Sequence, residues 1–144
     1  MSGLCIAAGK LLAVVPVASF TLAWSHSIEK TRWEEDWRIE GRQLHIYEAR
    51  IMGSGAGMEP PASAWLKDGI WHYRPTTLPN DKFLLTHSPH ASGYELCIAG
   101  NCQPLTRLLP GIGDNATIEF SVCPAQTPVS ADDSGQSENL RRTP

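Results

Sequence analysis

With 144 residues, 42% of them hydrophobic, the chain is long enough for one ordinary domain with a packed core and too short for several. Twelve Lys and Arg stand against fifteen Asp and Glu, a formal net charge of −3, so no broad basic surface is available and nucleic-acid binding is not expected. Twelve glycines and eleven prolines exceed average usage and favour short elements joined by turns over a helical bundle.

From the N-terminus, Leu4-Cys5-Ile6-Ala7-Ala8 and Leu11-Leu12-Ala13-Val14-Val15 flank Gly9-Lys10 and predict a β-hairpin. A membrane-spanning helix needs about 20 predominantly apolar residues. Gly9-Lys10 and Pro16 interrupt the stretch from Leu4 to Trp24, so no membrane span is expected. Met1-Ser2-Gly3 lacks the basic region that opens a secretory signal, so the chain reads as leaderless and cytoplasmic as written, or periplasmic if a leader was removed or missed. Ser19 to Trp24 predicts a further strand that leads into Ser25-His26-Ser27.

The segment Arg32 to Glu40 fits two periods. Trp33 and Trp37 share a helix face, whereas Trp33, Glu35, Trp37 and Ile39 share a strand face. Gly41 and the alternation of Gln43 to Ile51 favour two strands joined at Glu40-Gly41-Arg42. The loop Gly53-Ser54-Gly55-Ala56-Gly57 follows, and then Asp68-Gly69 joins Ala64–Lys67 to Ile70–Tyr73 with a strong type I′ turn signal. Lys82 to Thr86, Tyr94 to Cys97, Gln103 to Leu109 and Thr117 to Cys123 predict four more short strands. Beyond Cys123 the chain turns to Ser, Asp, Gln, Thr and Pro, with too little apolar surface to offset the entropy of ordering. The expectation is a single mainly antiparallel all-β domain over residues 1–123, a small barrel or sandwich of about eight to ten short strands, with a disordered polar tail over 124–144.

Cys5, Cys97, Cys102 and Cys123 leave three readings open. Cys97 and Cys102 flank Ile98-Ala99-Gly100-Asn101, a loop that would set them across a hairpin at disulfide distance. A structural zinc site usually needs two closely spaced pairs, and Cys5 and Cys123 stand alone, so zinc is the weaker reading; free buried thiols are the third.

The densest polar group is Ser25-His26-Ser27-Ile28-Glu29-Lys30, followed by Glu34-Glu35-Asp36. Serine, histidine and carboxylate together suggest a hydrolase, but neither serine lies in a Gly-x-Ser-x-Gly elbow. His26 with Glu29 or Glu34 matches no helical metal motif. Gly53 to Gly57 could expose backbone N–H groups to an anion, yet it carries neither the Lys of a phosphate loop nor a following helix. The five tryptophans, at 24, 33, 37, 65 and 71, are expected mostly in the core. His87-Ser88-Pro89-His90 reads as a solvated loop. No cofactor is called for.

Phe20-Thr21-Leu22-Ala23-Trp24-Ser25-His26-Ser27-Ile28-Glu29-Lys30-Thr31 with Glu34-Glu35, and then Glu48-Ala49-Arg50 leading to Gly53-Ser54-Gly55-Ala56-Gly57-Met58-Glu59-Pro60, resemble an uncharacterised bacterial family. That family is known only as a domain of unknown function and travels with TRAP transporters of the TAXI type. The resemblance implies a non-enzymatic accessory or binding protein near such a transport system, whose partner is a transporter component or a small anionic solute. Its matching positions are Ser25, His26, Ser27, Glu29, Glu35, Ser54 and Gly55 to Gly57, and with Gly53 they form the expected ligand or partner site. The alternative is a small hydrolase-like enzyme that uses Ser25, His26 and Glu29.

Overall fold

The computed structural model describes residues 2–26, 31–52, 61–88 and 93–124. They form eleven strands and one helical turn: β1 (Ser2–Ala8), β2 (Leu11–Val15), β3 (Ser19–His26), β4 (Thr31–Glu40), β5 (Gln43–Met52), β6 (Trp65–Lys67), β7 (Ile70–Tyr73), β8 (Lys82–Thr86), β9 (Tyr94–Ile98), β10 (Asn101–Pro104), α1 (Leu105–Leu108) and β11 (Thr117–Pro124). All pairings are antiparallel and fall into two sheets, β2-β1-β11-β8 and β10-β9-β3-β4-β5-β7-β6. Neither sheet closes on itself, so of the two expected architectures the sandwich is the one formed. No described helix is long and apolar enough to cross a membrane.

Alternating apolar positions hold the two sheets together. Leu4, Ile6, Ile118 and Phe120 of the smaller sheet meet Phe20, Leu22, Leu44 and Leu96 of the larger one in a single buried cluster. Phe120 lies 4.7 Å from Phe83 and Phe83 lies 4.5 Å from Trp37, ring centroid to ring centroid, so an aromatic stack bridges the sheets. The first and last described strands pair along their length, from Ser2 opposite Pro124 to Ala7 opposite Glu119, and the Cys5–Cys123 disulfide ties them together. Cysteines that stand alone in the sequence are thus neighbours in the sheet.

Three local readings are corrected. The Cys97 hairpin is tighter than the four-residue loop expected: Ile98 pairs with Asn101, which leaves Ala99 and Gly100 as a two-residue turn, and β10 begins at once. Both turn residues have positive φ, 52° and 85°, as a primed hairpin turn requires. The strand expected over Gln103 to Leu109 stops at Pro104, where the chain leaves the sheet and closes one helical turn through the Leu109 N–H to the Leu105 carbonyl at 2.8 Å. A helical turn brings Leu105 and Leu109 onto one face, and both are buried in the core. The alternation of Gln43 to Ile51 is also broken, for Leu44 and Ile46 are buried at even positions and Ala49 and Ile51 at odd ones. A bulge at Tyr47, where the pairing jumps from Asp36–Glu48 to Trp37–Ile46, absorbs the change of phase.

The tail expected over 124–144 lies outside the described residues except for Pro124, as do Pro89 and His90.

Candidate functional site

Strand alternation sorts most of the charged residues of β4 and β5 onto the face of the larger sheet turned away from the core. Arg32, Glu34, Asp36 and Arg38 occupy every second position of β4, and Glu48 and Arg50 face them from β5. Arg50 is the hub. Its Nη1 and Nη2 meet the two Asp36 oxygens at 2.6 and 2.7 Å, its Nε meets Glu34 at 3.1 Å, and Nη1 also reaches Glu48 at 3.0 Å. Arg32 continues the network to Glu34 and Glu95, both at 2.9 Å, and its Nη2 lies 3.8 Å from Cys102 Sγ. His72 Nδ1 sits 3.1 Å from the same Glu48 oxygen that Arg50 uses, and the Thr21 hydroxyl donates to Asp36 at 2.7 Å. Burial by itself would raise the Asp36 carboxyl, but the hydrogen bonds of Arg50 and Thr21 and the Arg50 charge outweigh it and hold Asp36 below the usual carboxylate range.

Beside this network a trough of about 430 Å³ opens on the same face, among whose lining residues are Thr21, Asp36, Arg38, Tyr47, Glu48 and Arg74. The bulge helps shape it, since both Tyr47 and Glu48 line it in succession. The Arg38 guanidinium stacks 4.1 Å from the centroid of the Tyr47 ring, and the Tyr47 hydroxyl donates to Glu40. Arg74 stacks 5.4 Å from the Trp65 ring. A guanidinium held on a ring by its face keeps its in-plane N–H groups for a further partner. The Cys97–Cys102 disulfide closes the hairpin at one end, and Cys97 and Ala99 line the trough there. The described structure holds the four cysteines in two disulfides and leaves no free thiol.

Of the site residues expected from sequence, Ser25 lies in β3 opposite Arg32, His26 opposite Thr31, and Met52, the last residue before the Gly53 loop, is also opposite Arg32. The described parts of β3 and β5 therefore end at the same end of the sheet, on either side of β4. Ser27, Glu29, Gly53, Ser54, Gly55 and Gly57 lie outside the described residues. Glu35 belongs to the opposite, core-facing side of β4, where it is half-buried and accepts a hydrogen bond from Trp37 Nε1 at 3.2 Å. Burial raises its carboxyl above the usual range against that hydrogen bond. The sequence reading missed Arg32, Arg38, Arg50 and Arg74. The signal for the first three was present in the alternating charges of β4 and β5, but their convergence depends on the register between the two strands.

Residues 20–105 match the model of a family described as a domain of unknown function, DUF1850. The match begins one residue into β3 and reaches the first residue of α1, so, Ser19 aside, it spans the larger sheet and the residues that line the trough. No curated protein and no solved structure matches the chain. With well over half of its length matched, the chain belongs to the DUF1850 family of domains of unknown function.

Proposed function

We propose that this protein is a binding module rather than a catalyst, an accessory of a TRAP transport system of the TAXI type, and that it holds a small carboxylate-bearing solute in the trough on the outer face of the larger sheet. The observation that carries the reading is the charge arrangement there. The acids in the lining, Asp36 and Glu48, are already engaged by Arg50, whereas among the described residues Arg38 and Arg74 form no salt bridge and are held instead on Tyr47 and Trp65. A carboxylate matches the planar donor fork of a guanidinium. The volume of the trough is within the ordinary span of small-molecule sites. The two disulfides suit an oxidising compartment, where a partner of solute capture would work.

The test is calorimetric titration of the full chain with a panel of mono- and dicarboxylates and their uncharged amides. At least one acid should bind while its amide does not, and Arg38→Gln and Arg74→Gln should each weaken that binding by about tenfold, or roughly 1.4 kcal/mol. Acids that fail to bind, or that bind both variants as they bind the parent, would overturn the assignment of the trough. A complex between the protein and a TAXI-type transporter component in analytical ultracentrifugation supports the accessory role, and its absence removes it.

A further inference from the structure

The core-facing side of the larger sheet carries a second feature, independent of the trough. Register aligns Tyr94, Trp24 and Trp33 on β9, β3 and β4 in one row across the sheet, and the same row continues through Ile51 to Trp71 on β7. Trp24 and Trp33 stack at 6.0 Å between ring centroids, 10° from parallel, and Tyr94 tilts against Trp24 at 5.6 Å. One row further along the strands, Glu35 stands between Leu22 and Ala49, with Tyr73 next beyond Ala49. Trp24, Trp33, Glu35, Trp71, Tyr73 and Tyr94 are all only partly buried, so solvent reaches a carboxylate set on the apolar side of a sheet.

The contrast with its sequence neighbours is informative. Glu34 and Asp36 turn outward and are satisfied by Arg32 and Arg50, whereas no described salt bridge includes Glu35, whose described hydrogen bond is to the Trp37 indole. After burial, the charge of Glu35 is what further raises the phenols of both Tyr73 and Tyr94, so its field reaches both edges of the aromatic surface. A partly desolvated carboxylate that no cation among the described residues pairs with, beside ring faces that carry negative potential, attracts positive charge of low hydration. A metal ion would ask for more oxygen ligands, and no group of three or more His, Cys, Asp or Glu that could hold one occurs among the described residues. An organic cation asks only for a charge and for rings.

We propose that Glu35 and this aromatic row form a binding site for a small alkylammonium cation. Tetramethylammonium chloride is the probe, titrated into the full chain at constant ionic strength with sodium chloride as the control. Neopentyl alcohol, of similar shape and no charge, is the second ligand. Tetramethylammonium should give a saturable shift of the indole N–H resonances of Trp24 and Trp33, with the alcohol about tenfold weaker or worse. Glu35→Gln, which keeps shape and the acceptor for Trp37, should lose about tenfold in affinity, while Arg74→Gln should bind the cation as the parent does. No saturable shift, an equal affinity for the alcohol, or an unchanged Glu35→Gln overturns the proposal. If the variant does not fold, the comparison of the two ligands on the parent protein decides. Because the two sites use opposite faces of the sheet, a failure here leaves the carboxylate trough untouched, and the reverse also holds.

Discussion

Arg50 grips Asp36 through both terminal nitrogens, Nη1 to Oδ2 at 2.6 Å and Nη2 to Oδ1 at 2.7 Å, across the pairing of β4 with β5. The same guanidinium holds Glu34 and Glu48, so it keeps three carboxylates from facing one another across the sheet. Replacing Arg50 by Gln should therefore cost more than an exposed ion pair, about 2–3 kcal/mol, because it leaves partly buried charges without compensation. Urea unfolding at neutral pH measures it, and a loss below about 0.5 kcal/mol would return the network to the class of solvated surface pairs.

The pH dependence of stability should carry the mark of Asp36. Its carboxyl lies below the usual range in the folded protein despite the opposing effect of burial, so the stabilisation is present above the unfolded pKa of about 3.9 and is lost as pH falls through the lower folded value. Asp36→Asn should flatten the acid limb of a stability-against-pH curve in that window. A curve parallel to that of the parent protein at acid pH argues against the bidentate grip.

Glu35 has the opposite sign. A carboxyl raised by burial favours the folded state when protonated, and that contribution fades as pH rises through its folded pKa. Glu35→Gln should consequently stabilise the protein at pH 7, by on the order of 1 kcal/mol, and the gain should vanish below the unfolded carboxylate range. Denaturant unfolding of both proteins at the two pH values distinguishes this from a packing effect, which would persist at low pH.

The two disulfides should differ in worth. Cys5–Cys123 has a sequence separation of 118 and Cys97–Cys102 a separation of 5. Loop-closure entropy gives about 5 kcal/mol for the first and about 2 kcal/mol for the second. Thermal melts of Cys5→Ser/Cys123→Ser against Cys97→Ser/Cys102→Ser should show the larger drop for the first pair, and equal drops would mean that the unfolded chain is not the origin of the difference.

Leu109 is fully buried at the end of α1, where it joins Leu105 in the core. Leu109→Ala should cost about 3 kcal/mol and Leu108→Ala, at a partly buried position, distinctly less. A reversed order in urea unfolding would favour an extended path after Pro104.

Much of the fold was legible locally. Gly9-Lys10, Gly41-Arg42 and Asp68-Gly69 each form the turn of a hairpin, because the φ values of 60° at Gly9, 66° at Gly41 and 53° and 79° at Asp68 and Gly69 are what these residue types allow cheaply. The flanking strands follow from period-two alternation. The end of β10 at Pro104 was hidden because Leu105, Leu108 and Leu109 beyond it fit a strand as well as a helical turn. The Tyr47 bulge was hidden for a related reason: one inserted residue changes which face every later side chain takes, and only the partner strand shows where the insertion falls.

The sites divide in the same way. The run Glu34-Glu35-Asp36 carries its charges in plain view, and alternation alone sends Glu35 to one face and its neighbours to the other. Which charges meet them is not local information. Arg50 reaches Asp36 from 14 positions away and Arg32 reaches Glu95 from 63, through strand pairings that the order of the sheet sets. Local propensity and alternation act within a few residues, so the sequence by itself determined most of the strands, most of their turns and, up to the Tyr47 bulge, their two-faced pattern. Sheet order, register and the closing of β1 against β11 depend on burying the whole core at once, so only the tertiary structure decided that Cys5 meets Cys123, that four arginines share one face and that Glu35 stands beside a row of aromatic rings.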